Sequence, residues 1–271
     1  MPTHFGPAAG PRQSPQETRW SLPDQRLKES YAISLNCDAT ALSALLPDGF
    51  ELDGEPILTA TWIYQNNIGW LAGRGYNMLN ITAPTRYRGN GIAARGPFLL
   101  VQWENLADPI ITGREQLGYS KIFCDLPTPT TEGGVIRAHA SWMGYPFLHA
   151  EFDELQSVAA TSTASSAAAP PNELRGTLHL RYQPRVGKID SAEIVEPVIT
   201  PTDATKELLL EEKRGRGRMQ FSPTTWEDMP TQYHIVEGLR KVALSPDGRV
   251  VYRRVRGSGD LLEHRSLLSA E

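Results

Sequence analysis

Most of the chain shows the alternation of apolar and polar residues that is typical of β-strands. The pattern is clear in residues 31–35 and 57–64, which are rich in β-branched and aromatic side chains. Further strand patterns occupy residues 92–103, 134–152, 174–183, 191–199 and 248–256. Because strands follow one another with few helices between them, the pattern argues against repeated strand–helix units. It predicts a β-rich α+β fold built on a large, mostly antiparallel sheet.

Two short helices are predicted between the strands. The first begins at Asp38, a favourable N-cap residue. The second is expected to begin with Asp108 as N-cap and Pro109 at the first helical position, and to end at Gly118. The chain then becomes extended again, so Lys121 follows a helix–strand junction. Such a junction aims a side chain into a cavity from a rigid base.

Three segments depart from this pattern. Residues 1–18 are rich in Pro and Gly and poor in large apolar side chains, which predicts a flexible N-terminal arm ahead of a single domain over 19–271. Residues 157–171 are small and polar, and this composition favours a mobile loop. The basic run Lys213–Arg218 is interpreted as a solvated turn between strands.

Composition excludes several classes of partner. The formal net charge is −4, from 27 basic and 31 acidic residues, and no basic cluster carries interleaved aromatics, so no nucleic acid partner is expected. No window approaches the ~18 apolar residues of a membrane-spanning helix, and the N-terminal sequence lacks the features of a secretory signal. With only two cysteines, a reducing compartment fits the chain. The expected location is the cytoplasm, with no membrane partner.

Familiar catalytic motifs are missing from the sequence. It contains no Gly-x-Gly-x-x-Gly, no phosphate-binding Gly-x-x-x-x-Gly-Lys-Ser/Thr, no Gly-x-Ser-x-Gly and no His-Glu-x-x-His. Its six histidines never pair at helical spacing. Nothing in the sequence therefore points to a metal site or to a cofactor.

One segment does carry a chemical motif. The residues Gly113-Arg-Glu-Gln-Leu-Gly-Tyr-Ser-Lys121 resemble the Gly-Arg-Glu-x-x-Gly-Tyr/Phe-Pro-Lys-Lys signature of the acetoacetate decarboxylase family. Weaker similarities to the same family lie in residues 44–53, 75–77, 84–89 and 215–221, so the resemblance spans roughly residues 20–255. It implies a cone-like barrel that encloses a cavity, a small-molecule keto substrate and assembly into homo-oligomers.

The resemblance also implies that Lys121 forms an imine with its substrate. A lysine must be neutral to attack a carbonyl, yet an exposed lysine has a pKa near ~10.4. Burial disfavours the cation, and desolvation or a neighbouring cation is the known way in which acetoacetate decarboxylase activates its lysine. Tyr119 and the apolar Ile122 flank Lys121, which fits desolvation. The alternative is an ordinary solvated lysine at a strand edge.

Three positions depart from the family pattern. Ile122 replaces the second lysine of the signature, and Met78, two residues after Tyr76, replaces a glutamate suited to proton transfer. An arginine implied to bind the substrate carboxylate aligns with Lys28 in Lys28-Glu29, where a single ionic contact remains available. These changes favour a larger or less charged substrate, such as a 2-oxo acid or a polyketide-like ketone.

Five further residues are candidates for the site. Gln102 and Trp103 are expected to line the pocket, with core packing an equal alternative for Trp103. Tyr119 would either donate a proton or shield the lysine. Arg114 and Glu115 are expected to form a structural ion pair or to orient the pocket.

Three functions remain open on this basis. The first is an imine-forming lyase of decarboxylase, aldolase or dehydratase type. The second is a cyclase or isomerase that uses the cavity without a covalent lysine. The third is a non-catalytic β-barrel protein that binds an apolar small molecule.

Overall fold

A computed structural model describes residues 26–158, 173–188, 190–202, 205–259 and 264–268 of the chain. The expected arm over 1–18 and almost all of the expected loop over 157–171 lie outside these residues. No helix in the described ranges is long and apolar enough to cross a membrane.

Strands dominate the described part of the chain. They are β1 Leu27–Asn36, β2 Phe50–Leu52, β3 Ile57–Asn66, β4 Tyr76–Gly89, β5 Ile92–Glu104, β6 Lys121–Phe123, β7 Thr130–Glu132, β8 Val135–Trp142, β9 Tyr145–Ser157, β10 Glu173–Pro184, β11 Ala192–Pro201, β12 Thr205–Phe221, β13 Gly248–Gly259 and β14 Arg265–Ser266. The helices are α1 Ala39–Ser43, α2 Ala107–Thr112 and α3 Tyr233–Arg240, with a 3₁₀ turn at Gly69–Leu71 and a π-helical turn at Gly113–Leu117.

All of these strands belong to one sheet. Its main order is β14-β11-β10-β5-β4-β3-β1-β13-β12-β9-β8-β7, while β2 pairs with β4 and β6 pairs with β5. Neighbouring strands run antiparallel except that β5 pairs in parallel with both β10 and β6. The expectation of a β-rich, mostly antiparallel single domain with a few short helices is confirmed.

The main core lies where distant strands of this sheet face each other. Trp62 of β3 contacts Phe152 of β9 edge to face, with ring centroids 5.6 Å apart. Trp103 of β5 packs on Phe147, also of β9, at 5.0 Å. All four side chains are completely buried or nearly so. Because β9 is remote from β3 and β5 along the sheet, these contacts require the sheet to curl over its own apolar face.

The two helices expected from sequence are present with different starts. At α1, Oδ1 of Asp38 accepts a hydrogen bond from the backbone N–H of Ala41 at 2.7 Å, so this N-cap is confirmed. The prediction that Asp108 caps α2 is wrong, because the helix begins at Ala107 and Asp108 lies in its first turn. Gly118 ends the following π-helical turn at φ +78°, as a C-terminal glycine does.

The basic run Lys213–Arg218 was interpreted as a turn, and that interpretation is wrong. These residues lie inside the seventeen-residue strand β12, between β13 and β9. The exposed basic side chains pair with acidic partners on either side, for example Arg218 with Glu151 at 3.1 Å. Since Gly215 and Gly217 interrupt the side-chain pattern, the usual strand alternation is hidden in the sequence.

Strands β3, β4 and β5 place different chemistry on their two faces. One face joins the core through residues such as Trp62, Leu79 and Trp103. The opposite face carries polar side chains, because successive residues of a strand point to opposite sides. That polar face forms the wall of the cavity described next.

Candidate active site

A cavity of about 360 Å³ lies over the polar face of the sheet. Its lining residues are Arg26, Thr61, Gln65, Tyr76, Met78, Asn80, Thr82, Pro97, Leu99, Gln102, Pro109, Thr112, Gly113, Leu117, Tyr119, Lys121 and Thr177. The structure therefore brings five of the sequence-predicted site residues to one cavity, which are Tyr76, Met78, Gln102, Tyr119 and Lys121.

Lys121 enters the cavity from the first residue of β6. Its side chain is only 7% exposed, which excludes the alternative of a solvated lysine at a strand edge. The Nζ atom lies 3.0 Å from Oε1 of Glu104 and donates a hydrogen bond to the carbonyl oxygen of Pro109 at 3.1 Å. One amine is thus held between a carboxylate and the start of α2.

Glu104 is a completely buried carboxylate at the end of β5. Burial raises the pKa of Glu104, and the opposing influences of the Lys121 amine and the Gln102 amide are smaller. Nε2 of Gln102 donates to the same Oε1 at 2.7 Å, while Oε2 has no hydrogen-bond partner among the described residues. The carboxylate therefore keeps one free oxygen beside the amine.

Gly113 makes room for the lysine side chain. A Cβ atom built at this position would lie 2.3 Å from Cδ of Lys121, 2.4 Å from its Cε and 2.8 Å from its Nζ. Such distances are far below carbon–carbon contact, so any larger residue here would push the amine out of place. The first glycine of the sequence motif is explained by this close approach.

The next two residues of the motif do not pair with each other. Nη1 of Arg114 donates to the backbone carbonyl of Lys121 at 3.0 Å, so Arg114 positions the strand that carries the lysine. Glu115 is exposed, and its backbone carbonyl accepts hydrogen bonds from Arg181 and Gln183. The expected ion pair between Arg114 and Glu115 is absent from the ion pairs of the described residues.

Tyr119 covers the lysine with its ring and turns its hydroxyl away. The Nζ of Lys121 lies 5.3 Å from the ring centroid. The hydroxyl lies 2.8 Å from Oγ1 of Thr200 and 3.0 Å from Nε2 of His264. Burial raises the pKa of Tyr119 to about 12. This geometry matches the shielding role among the two alternatives for Tyr119.

His179 stacks against the other side of Tyr119, with ring centroids 4.3 Å apart. It is completely buried between the carbonyl oxygen of Gly118, at 3.1 Å, and Oγ1 of Thr200, at 3.2 Å. Burial, with a smaller contribution from His264, lowers the pKa of His179 to about 3. The ring is therefore neutral at physiological pH and supports Tyr119 from behind.

Met78 stands where a carboxylate is implied by the family pattern. Its sulfur lies 3.1 Å from Nε2 of Gln102 and 3.8 Å from Nε2 of Gln65. Two amide side chains thus converge on a thioether, which is a weak hydrogen-bond acceptor. Met78 itself can transfer no proton, and the carboxylate on this part of the wall belongs to Glu104, which lies opposite Met78 on β5.

Besides Arg114 and Glu115, four predicted residues do not line the cavity. Lys28 forms an ion pair with Glu207, and Glu29 lies 3.6 Å from Arg254. Trp103 faces the core, where its indole N–H donates to Gln232, so of its two expected roles the structure places it in core packing. Ile122 also packs against the core, because the residue after Lys121 must point to the opposite face of the sheet.

Sequence reasoning missed two charged residues of the site. Arg26 lines the cavity, and its Nε has no hydrogen-bond partner among the described residues. Only Leu27 separates it from Lys28, and no strand pattern indicates which of the two cations points into the cavity. Glu104 had a detectable signal, because it follows Gln102 at strand spacing and two polar residues on one face of an apolar strand are unusual.

Comparison with solved structures identifies the fold. The chain is similar to an acetoacetate decarboxylase from Legionella pneumophila, with a TM-score of 0.63, 15% identity and 96% of each chain covered. It is also similar to the enduracididine biosynthesis enzyme MppR complexed with pyruvate, with a TM-score of 0.57, 16% identity and 94% and 95% coverage. A third match is an acetoacetate decarboxylase-like enzyme from Sphingomonas wittichii, with a TM-score of 0.59, 15% identity and 93% and 99% coverage.

These identities establish the fold alone, and no curated protein sequence matches the chain significantly. The family model for acetoacetate decarboxylase, in contrast, matches residues 1–255, which is most of the chain. The chain therefore belongs to the acetoacetate decarboxylase family.

Proposed function

We propose that the protein is an enzyme that forms an imine between Lys121 and a 2-oxo acid, and that it makes or breaks a carbon–carbon or carbon–oxygen bond through this intermediate. The proposal rests on one contact: the amine of the buried Lys121 lies 3.0 Å from the carboxylate of the buried Glu104. Lys121 lines the cavity. A nucleophilic amine beside a proton acceptor is the arrangement that imine formation needs.

The pair supplies a route to the neutral amine. A protonated lysine has no lone pair with which to attack a carbonyl, so its proton must leave first. Glu104 is the nearest acceptor, and burial raises the pKa of its carboxyl group, which favours the protonated acid. Proton transfer from Lys121 to Glu104 converts two buried charges into two neutral groups, and a water-poor interior favours neutral groups.

The proton that Glu104 takes from Lys121 is then used to form the imine. The amine adds to the keto carbon to give a carbinolamine, and Glu104 returns its proton to the leaving hydroxyl, so that one water departs and a protonated imine forms. This cation takes up the electron pair released when a neighbouring carbon loses a proton, or an aldol partner together with its hydroxyl proton, and the Glu104 carboxylate accepts that proton. The resulting enamine adds to an electrophile that takes the proton back from Glu104, or it expels a β-hydroxyl group, which leaves as water with that proton. Hydrolysis finally restores the lysine and releases the product.

Arg26 is the residue proposed to hold the substrate carboxylate. Its guanidinium lines the cavity, and no carboxylate of the described residues lies within ion-pair distance of it. An arginine presents paired N–H donors that match a carboxylate, whereas a lysine offers a single point charge. Lys28, which aligns with the arginine of the family pattern, is paired with Glu207 and does not line the cavity.

Met78 weakens the case for simple decarboxylation of a 3-oxo acid and favours a relative that acts on another keto substrate. The family position for a carboxylate is occupied here by a thioether that two glutamine amides approach. The structural relative MppR is described as complexed with pyruvate, a 2-oxo acid, and with its condensation product with an aldehyde. A 2-oxo acid is therefore the substrate class that we assign to this cavity.

Trapping the imine tests the proposal. The protein is incubated with pyruvate and borohydride, digested, and searched by mass spectrometry for a reduced adduct. The adduct should lie on Lys121 and should disappear in Lys121→Met, while Lys213→Met, at a half-buried position of β12 that does not line the cavity, should retain it. No adduct, or an adduct that persists in Lys121→Met, would overturn the proposal.

A further inference from the structure

We propose that Asn80, together with Thr61 and Thr82, forms a subsite that binds a hydroxyl group on the substrate chain. The inference rests on the proposed function and names the class of 2-oxo acid that the cavity takes. It predicts a 2-oxo acid with a hydroxyl group beyond its keto carbon, in place of the polyketide-like ketone considered from the sequence.

The first support is the strand register. Thr61 of β3 lies opposite Asn80 of β4, Asn80 lies opposite Gln102 of β5, and Gln102 lies opposite Lys121 of β6. The four residues form one row across four strands and all of them line the cavity. Because neighbouring strands are about 4.8 Å apart, the Cα atoms of Asn80 and Lys121 are separated by roughly 10 Å. A substrate bound at Lys121 therefore extends towards Asn80.

The second support is an unsatisfied acceptor. Oδ1 of Asn80 is buried and has no hydrogen-bond partner among the described residues. Native proteins rarely leave such an atom without a partner, and a role in a functional site is one of the accepted reasons. Gln102, its neighbour in the row, already uses its amide N–H groups, which donate to Glu104 and Met78. Asn80 is thus the amide of the row whose oxygen has no hydrogen-bond partner among the described residues.

The third support is the charge around Asn80. The only charged residues among those that line the cavity are Arg26 and Lys121, and both are positive. A ligand group with its own positive charge would not be neutralised there, because Glu104, two residues from Gln102 on β5, is already paired with Lys121. A neutral donor suits this environment, and the hydroxyl groups of Thr61 and Thr82 on either side of Asn80 provide further polar contacts. The subsite therefore selects a hydroxyl over an ammonium group.

The size of the cavity agrees with a longer substrate. Its volume of about 360 Å³ lies at the lower end of the range in which proteins hold ligands much larger than pyruvate. Asn80 and Thr61 both line this cavity, so the chain of a substrate longer than pyruvate would have polar side chains to contact.

The test compares matched substrates by imine trapping. The pairs are 2-oxobutanoate with 4-hydroxy-2-oxobutanoate, and 2-oxopentanoate with 5-hydroxy-2-oxopentanoate, and total adduct on Lys121 is measured at low substrate concentration. The wild-type protein should trap one hydroxylated acid roughly 10-fold or more efficiently than its partner. Asn80→Leu and the smaller Asn80→Ala should remove this preference, whereas Asn36→Leu, at an exposed end of β1, should keep it.

The outcomes separate the two proposals. Adducts that form equally from all four acids would overturn the subsite while leaving imine formation intact. If no acid gives an adduct, the imine proposal fails, and calorimetric binding of the same four acids to Lys121→Met then decides the subsite alone. Equal affinities in that experiment would overturn it, and tighter binding of a hydroxylated acid that Asn80→Leu abolishes would support it.

Discussion

The amine of Lys121 and the carboxylate of Glu104 are 3.0 Å apart, and both side chains are almost fully removed from solvent. An isolated charge at either position would be strongly disfavoured, so each residue depends on the other. This mutual dependence makes Glu104 the most informative residue to change after Lys121 itself.

Glu104→Gln should slow imine formation by a factor of about 10² or more, because the substitution removes the proton acceptor and keeps the shape of the side chain. The activity of this variant should also rise more steeply with pH than that of the wild type, since solvent hydroxide must replace the missing base. The rate of borohydride trapping, measured at a series of pH values, checks both statements.

Glu212→Gln is the matched control for this experiment. Glu212 is also a buried carboxylate, but it pairs with Arg253 and Arg214 on β13 and β12 and does not line the cavity. Its substitution should change stability and leave trapping unaffected. Equal trapping rates in wild type and Glu104→Gln would show that the carboxylate has no part in the reaction.

Gly113→Ala should abolish most of the trapping activity with little effect on folding. The new methyl group would occupy the space of the lysine chain, and the flexible end of Lys121 would move aside more easily than the backbone. Gly238→Ala is a suitable control, because a Cβ in α3 would meet only Leu45, at 3.8 Å. Thermal unfolding and trapping of both variants provide the measurement, and full activity in Gly113→Ala would contradict the geometry.

Arg26→Gln should raise KM for 2-oxo acids by roughly 10-fold or more, since it removes a charged hydrogen-bond partner of the carboxylate. Neutral ketones of similar size should be affected far less. Lys28→Gln, two residues away and paired with Glu207 outside the cavity, should leave both substrate types unchanged. A KM effect in Lys28→Gln instead would restore the assignment drawn from the sequence.

His179 should make the protein less stable in acid. Its pKa is lowered to about 3 in the folded state against an ordinary value of 6.5. Below pH 6.5 the unfolded chain therefore takes up a proton at this residue that the folded protein excludes. This residue alone should reduce the free energy of unfolding by about 1.4 kcal/mol for each pH unit between about 6 and 3.

Chemical denaturation at several pH values, with His179→Gln as the comparison, isolates this contribution. The glutamine variant does not titrate, so its free energy of unfolding should fall less steeply between about pH 6 and 3. Parallel pH dependences in the two proteins would show that His179 does not contribute in this way.

Local sequence rules were sufficient for most of the fold. Strand alternation located β1, β3, β5 and β10, and the capping preference of Asp38 located α1. The long strand β12 was missed because its glycines and arginines imitate a turn, and only pairing with β13 and β9 makes it a strand. The helix α3 was also missed, since its apolar residues Val236 and Leu239 become a buried face only against the rest of the core.

The site was predictable only in part. The motif identified Lys121, and Gln102 was predicted to line the cavity together with Trp103, which packs in the core. Glu104 joins Lys121 through the parallel pairing of β5 with β6, which is a contact between segments that no local pattern records. Arg26 and Lys28 lie close in sequence, and which of them reaches the cavity depends on how the start of β1 sits beside β13.

Strand β6, which carries Lys121, is only three residues long. Its register with β5 therefore decides which of its side chains face the cavity. A shift of β6 by one residue relative to β5 would exchange the two sides of the strand, so that Ile122 would face the cavity and the lysine would be forced into the apolar interior. Insertions or deletions between Gly118 and Lys121 should thus be far less tolerated than substitutions in the same stretch. The length of the segment between Gly118 and Lys121 thus determines whether the amine reaches the cavity.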